Sequence, residues 1–268
     1  MKKFLRDIAT FVSLFLVLFH IYPEISFYTE YYKKNVAGTE IYEAITQSLS
    51  KHKQKKLVIG DSVGKQILDE EIDSSKYISL CTNQAISMAG QFILLNNYIS
   101  NGNNIDEVIL IMHPLSFRNN LNQNFTYNYF IKPFYTEENK KYLDSYTVNQ
   151  IKQIPFFYLA NYHPIKVSLW SPDYPTEKTT IGISTISKIY LSKIIQLCES
   201  KGIKLSILSP PINEDLRKEI GQIQQEILLA NPTYLKPYIA GIHYYSKKYY
   251  LPDNIHLQKF DFYKKLIN

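Results

Sequence analysis

Residues 56–64 read Lys-Leu-Val-Ile-Gly-Asp-Ser-Val-Gly, and the fold follows from this stretch and what surrounds it. Leu57–Ile59 is a short apolar run that stops at Gly60-Asp61-Ser62, and Val63–Glu71 beyond it can be helical. Tyr77–Cys81 is a second strand candidate. From Ile86 to Ser100 the apolar residues Met88, Phe92, Leu95 and Ile99 recur at the spacing of one helix face. Glu107–Met112 (EVILIM) is a strong buried strand. Ile183, Ile186, Tyr190, Ile194 and Leu197 repeat the helical steps, and Gly202 can take the left-handed position that ends such a helix. Lys204–Leu208 is a further strand, closed by Pro210-Pro211. A helix over about Glu214–Leu229 follows, then an irregular Tyr-rich stretch, then a last helix from about Gln258. Strands separated by helices imply an α/β fold whose mainly parallel sheet is covered on both faces. In such sheets, chemistry gathers at the carboxyl ends of the strands.

Residues 113–179 break this rhythm, being too long for a structureless loop in a compact domain. They hold YNYFIKPFYTEENKKYL and PFFYLANYHPIKVSLWSPDYP, and are expected to form an inserted subdomain or lid. Its rings either make an aromatic platform for a sugar or acyl group, or pack the insertion's own core or touch lipid headgroups.

The whole chain of 268 residues is 45% hydrophobic and 20% charged, which excludes wholesale disorder and a polytopic membrane protein. The net charge of +6 sits partly in Lys2, Lys3 and Arg6 and partly in Lys51–Lys56. No DNA- or RNA-binding motif accompanies it, so nucleic acid is not an expected partner. Cys81 and Cys198 lie in apolar segments and read as buried thiols. No Cys/His cluster has zinc-ligand spacing.

The N-terminal sequence MKKFLRD leads into an uncharged run, Ile8–Tyr22. Fifteen residues cover about 22 Å as a helix, short of the roughly 30 Å hydrocarbon core. Adding Phe4-Leu5 and continuing to Ile25 brings the segment near spanning length. Residues 1–25 are therefore expected to be a membrane anchor with a cytoplasmic N-terminus, carrying everything after it to the extracytoplasmic side. The alternatives are a cleaved signal peptide, for which HIYPEISFYTE has no clear small-x-small site, and a buried core helix. Residues 26–54 look like a stalk in which Ile41–Leu49 can form a short helix.

Two motifs can carry chemistry. Ser62 follows a strand at the mouth of the sheet, and the helix after it aims its N-terminal amides at negative charge. Near the other end, Asp253-Asn254-Ile255-His256 spaces an acid three residues before a histidine. Such an acid can turn back and accept the Nδ1–H bond, leaving Nε2 free as a base. Asp61 is expected to bond local backbone as a turn-former. His113 follows a strand end and is either a site residue or a satisfied structural histidine. Gly60 to Lys65 mimics a phosphate-binding loop, but it is one residue short and Gln66 stands where a hydroxyl should reach magnesium.

KLVIGDSVG (56–64), Asn83-Gln84-Ala85-Ile86-Ser87 and LPDNIHL (251–257) resemble the first, second and last blocks of the SGNH (GDSL-like) hydrolase superfamily. The resemblance covers roughly residues 55–268 outside the insertion. It implies a flavodoxin-like three-layer α/β/α fold and ester chemistry, with Ser62 as nucleophile, His256 as base and Asp253 as its orienter. The oxyanion would rest on the backbone N–H of Ser62 and on one near Met88, where the family usually has glycine. The family's Gly-x-Asn-Asp block is absent; that place runs from Met112 to Asn120, and Asn119 or Asn120 could replace the missing side-chain donor.

Membrane-tethered members of the superfamily with a non-standard third block act in polysaccharide O-acetylation and envelope modification. By this likeness the chain is an O-acetyltransferase or O-acetylesterase acting on a cell-envelope or capsular polysaccharide. It would use an acylated or acetyl-accepting glycan and no cofactor or metal. The alternative is an inactive glycan-binding or scaffold protein that partners a membrane-bound acyltransferase.

Overall fold

The strands β1 (Lys56–Gly60), β2 (Tyr77–Ser79), β3 (Glu107–Ile111) and β4 (Lys204–Leu208) form one parallel sheet in the order β2–β1–β3–β4. They belong to a computed structural model that describes residues 1–27, 38–69, 76–160 and 182–258. Side chains alternate across this sheet, as strand geometry requires. Leu57, Ile59, Val108, Leu110, Leu205 and Ile207 enter the larger core on one face. Val58, Ile109 and Ile111 enter a smaller core on the other, with Val63, Ile67, Cys81, Tyr250 and Leu257. Burial on both faces is why β1 and β3 read as continuous apolar runs rather than alternating ones.

The helices are α1 (Lys2–Phe27), α2 (Thr39–Ser48), α3 (Ser62–Asp69), α4 (Ser87–Ser100), α5 (Ser145–Gln153), α6 (Thr185–Lys201), α7 (Arg217–Ala230) and α8 (Pro232–Ala240), with shorter helical turns between some of them. Nearly every side of α4 is apolar and buried, including Met88, Phe92, Leu94, Leu95 and Tyr98, because it packs between α2 and α6. The hydroxyl of Ser184 accepts the Ser187 N–H to start α6, and Gly202 at φ 65° ends it. Ile212–Asn213 (β5) pairs in parallel with Tyr244–Tyr245 (β6) in a separate two-stranded sheet.

The architecture is thus α/β with a parallel four-stranded sheet and helices, compatible with three layers. Four expectations change. Residues 26–54 are not simply a stalk: α2 puts Ile41 and Ala44 into the main core, and Glu40 accepts bonds from the Asn83 backbone (3.1 Å) and side chain (2.9 Å). The described part of the insertion shares the main core instead of having its own, since Phe117, Tyr127, Phe130, Phe134 and Ile151 are wholly buried there. Its remainder, with Trp170, lies outside the described residues, as does the expected last helix. The Tyr-rich stretch before His256 contains α8, started by an Asn231 cap and Pro232 and tied to the sheet by the Tyr238 hydroxyl donating to the Met112 carbonyl at 2.9 Å.

The fourth concerns the N-terminus. Among the described residues no helix is long and apolar enough to cross a membrane, so the expected spanning helix is not found. The uncharged run Ile8–Tyr22 is itself only fifteen residues long, short of the hydrocarbon core. Its apolar side chains are nonetheless exposed, from Phe4 to Ile21.

Candidate active site

Ser62 opens α3 directly beyond the carboxyl end of β1. The chain can reach that place only through a glycine. A Cβ on Gly60 would stand 2.2 Å from the Ile111 carbonyl oxygen of the neighbouring strand. The side chain of Gln91, from α4, holds Gly60 by both ends: its Oε1 accepts the Gly60 N–H (3.1 Å) and its Nε2 donates to the Gly60 carbonyl (2.7 Å).

Asp61 then sets the turn. Its Oδ1 accepts the N–H groups of Val63 (3.1 Å) and Gly64 (3.3 Å), the local backbone role expected of it. Its Oδ2 accepts the His113 N–H (2.8 Å) and the Ser116 hydroxyl (2.6 Å), which lashes the segment after β3 to the start of α3. The Ser62 N–H has no acceptor among the described residues.

His256 arrives from the other end of the sequence on a short closed loop. An antiparallel bridge between Tyr250 and Leu257 closes it, and the Leu251 N–H donates to the His256 carbonyl at 2.7 Å. Asn254 turns the chain at φ 61°, a conformation asparagine tolerates better than most residues, and Asn213 of β5 donates to its Oδ1 at 3.1 Å. Gln66, one turn beyond Ser62 on α3, grips Leu257: its Oε1 accepts the Leu257 N–H and its Nε2 donates to the Leu257 carbonyl, both at 3.2 Å.

Within that frame three groups align. The His256 Nε2 lies 2.8 Å from the Ser62 Oγ, and the His256 Nδ1 lies 2.7 Å from the Asp253 Oδ2. An ionised carboxylate only accepts, so Nδ1 carries the proton and Nε2 is left to accept from the serine hydroxyl. Asp253 Oδ1 also accepts the N–H groups of Ile255 (2.9 Å) and His256 (3.0 Å). Partial burial pushes the Asp253 carboxyl up, but these bonds and the His256 ring together hold it below the ordinary value.

Ser62 and His256 line a cavity of about 250 Å³. Val63, Ile86, Met112 and Leu115 give it apolar walls, and Ser87, His113 and Asn119 add polar ones. Met88 is not on the wall; its side chain lies in the main core, and its neighbour Ser87 faces the cavity from the first turn of α4. Asn119 lines the cavity, with its Nδ2 3.5 Å from the Ala85 carbonyl and its Oδ1 accepting the Leu121 N–H. Asn120 does not line it, because its Nδ2 is turned to the Tyr146 hydroxyl at 3.1 Å.

His113 is buried in the cavity wall, its Nδ1 accepting the Leu115 N–H at 3.2 Å. Burial lowers its pKa to about 4, the Asp61 charge opposing and the neighbouring His256 adding to the fall. Among the described residues no group of three or more His, Cys, Asp or Glu side chains is arranged to hold a metal ion. Cys81 and Cys198 are buried and form no disulfide among the described residues.

No family model, curated protein or solved structure matches the chain. Gln66, Gln91 and Asn213 are the residues that sequence reading missed. Only Gln66 left a signal, its place four residues after Ser62 on the same helix face.

Proposed function

We propose that the protein is a serine-dependent acyl-ester enzyme resembling the SGNH superfamily, with Ser62 as nucleophile, His256 as general base and Asp253 as its orienter. The observation that carries this reading is the unbroken relay from Asp253 through His256 to Ser62 at the wall of a cavity. The Ser62 Oγ attacks the ester carbonyl carbon while its proton passes to His256 Nε2. The tetrahedral adduct collapses, the ester C–O bond breaks, and the leaving oxygen takes that proton. The acyl group is now on Ser62. An acceptor hydroxyl gives its proton to His256 and attacks the acyl carbon in turn; the bond from that carbon to the Ser62 Oγ breaks, and the Oγ takes the proton back from His256. Water as acceptor makes an esterase; a sugar hydroxyl makes an O-acyltransferase.

Supporting the superfamily reading is the strand order β2–β1–β3–β4, which a flavodoxin-like three-layer fold shares. The cavity is smaller than the roughly 300–1,000 Å³ of drug-sized ligand sites, which favours a short acyl group such as acetyl. The exposed apolar side chains of α1, preceded by Lys2, Lys3 and Arg6, support contact with lipid. With that contact the substrate is an O-acetylated or acetyl-accepting polysaccharide of the cell envelope or capsule, met on the extracytoplasmic side, where a membrane acyltransferase could be a partner.

The test is a fluorophosphonate probe on the full chain. The wild type labels, and Ser62→Ala loses labelling while substitution of an exposed serine such as Ser200 keeps it. A folded wild type that does not label overturns the enzyme reading and favours a glycan-binding scaffold.

A further inference from the structure

We propose that the Nε2–H of His113 is a hydrogen-bond donor to the acyl oxygen of the substrate, supplied by the first residues after β3 in place of the Asn119 and Asn120 amides. This rests on the acyl-enzyme reading above.

The proton on the ring can be placed. The Leu115 backbone N–H donates to Nδ1 at 3.2 Å, so Nδ1 is an acceptor, and a neutral ring must carry its proton on Nε2. That Nε2 is buried and has no hydrogen-bond partner among the described residues. His113 is only 2% exposed, yet it lines the cavity that holds Ser62 and His256. Native structures rarely keep an unpaired buried donor, and those they keep call for a role.

Its position is also built in. The His113 N–H donates to Asp61 Oδ2 at 2.8 Å, and the other oxygen of Asp61 caps the helix that Ser62 begins. One carboxylate therefore sets the nucleophile and the imidazole relative to each other. Burial keeps the ring neutral, so it donates without placing a second cation beside His256 as that base takes up its proton.

Neighbouring groups fit the role less well. Gln84 Oε1 is an unpaired acceptor and repels an oxyanion. Asn119 has its amide near Ala85, and Asn120 is turned to Tyr146. The Ser87 hydroxyl is also unpaired, which makes it the comparison in the test.

The experiment measures p-nitrophenyl acetate turnover and fluorophosphonate labelling for the wild type, His113→Phe, Ser87→Ala and Asn119→Ala, with thermal unfolding of each. Phenylalanine keeps a planar ring and removes the donor, together with the Nδ1 acceptor of the Leu115 N–H. Expected is a fall in kcat of about 10²–10³ for His113→Phe with KM little changed, a parallel fall in labelling rate, and a loss of thermal stability at neutral pH no larger than that of one cap bond. A packing role would lower stability well beyond that and leave kcat of the folded variant unchanged.

Should His113→Phe not fold, the wild type still decides. In long-range ¹H–¹⁵N spectra His113 must be the neutral Nε2–H tautomer, and its Nε2 resonance must move when Ser62 is phosphonylated. Full turnover by folded His113→Phe, a loss carried by Ser87→Ala or Asn119→Ala instead, or an unmoved resonance each overturn the assignment while leaving the acyl-enzyme reading intact. A wild type that does not label overturns both.

Discussion

Two glycines show how much a single residue decides, and with opposite signs. At Gly60 an added Cβ would meet the Ile111 carbonyl at 2.2 Å, and that oxygen belongs to the adjacent strand backbone. No rotamer change relieves such a clash, so β1 and β3 must part just before Ser62. Gly60→Ala is expected to lower stability by about 1–3 kcal/mol in urea unfolding and to slow labelling of Ser62. Gly221, on an exposed turn of α7, has nothing within 4 Å of an added Cβ and an ordinary helical φ. Gly221→Ala is expected to raise stability by about 0.5–1 kcal/mol in the same assay and leave labelling unchanged. Equal effects of the two changes would contradict the close approach of β3 to Gly60.

At the scale of elements, the site is a contact between the first turns of α3 and a loop that begins almost two hundred residues later, and Gln66 is the joint. Its two bonds to Leu257 fix the loop one residue from His256. If His256 is the base proposed above, Gln66→Ala is expected to reduce kcat about 10–100-fold, since small misplacements of such a group are expensive in rate, with a much smaller effect on unfolding. An unchanged kcat would show that the Tyr250–Leu257 bridge positions the loop by itself. The sequence disclosed what is local. β1 and β3 were legible because strands buried on both faces are apolar throughout, β4 because buried Leu205 and Ile207 alternate with less buried residues, and the Asp253–His256 turn because the two residues are three apart. Gln66–Leu257, Gln91–Gly60 and Asn213–Asn254 join distant segments through single amides, which no periodicity records. α8 was hidden because Pro232 and Pro237 read as breakers, although the first serves as a start. The described aromatic residues of the insertion pack into the main core, a long-range contact that spacing along the chain does not record.

For the whole molecule, two properties follow from where charge is absent. α1 exposes apolar side chains between Phe4 and Ile21, including Leu14 and Leu18, so the full chain is expected to float with phosphatidylglycerol vesicles, and Leu14→Glu with Leu18→Glu to remain in the soluble fraction. Flotation of the double variant would place lipid contact elsewhere. The second property is a dependence of stability on pH that originates at the wall of the Ser62–His256 cavity. His113 titrates at about 4 in the folded chain, lowered from 6.5 by burial, with Asp61 opposing and His256 reinforcing the fall. The unfolded chain has no such burial and takes up its proton near 6.5. Between the two values the unfolded state binds more protons, so the free energy of unfolding rises with pH across that interval. The contribution is complete above about 6.5, is lost as pH falls toward about 4, and amounts to about 3 kcal/mol. Asp253, held below its ordinary 3.8, adds a further loss only at more acid pH. The wild-type urea midpoint is therefore expected to fall between pH 7 and pH 4.5, and His113→Phe, which cannot titrate, to flatten that fall. An identical slope in the variant would mean that the imidazole reaches water more freely than its burial indicates, and that other groups govern acid unfolding.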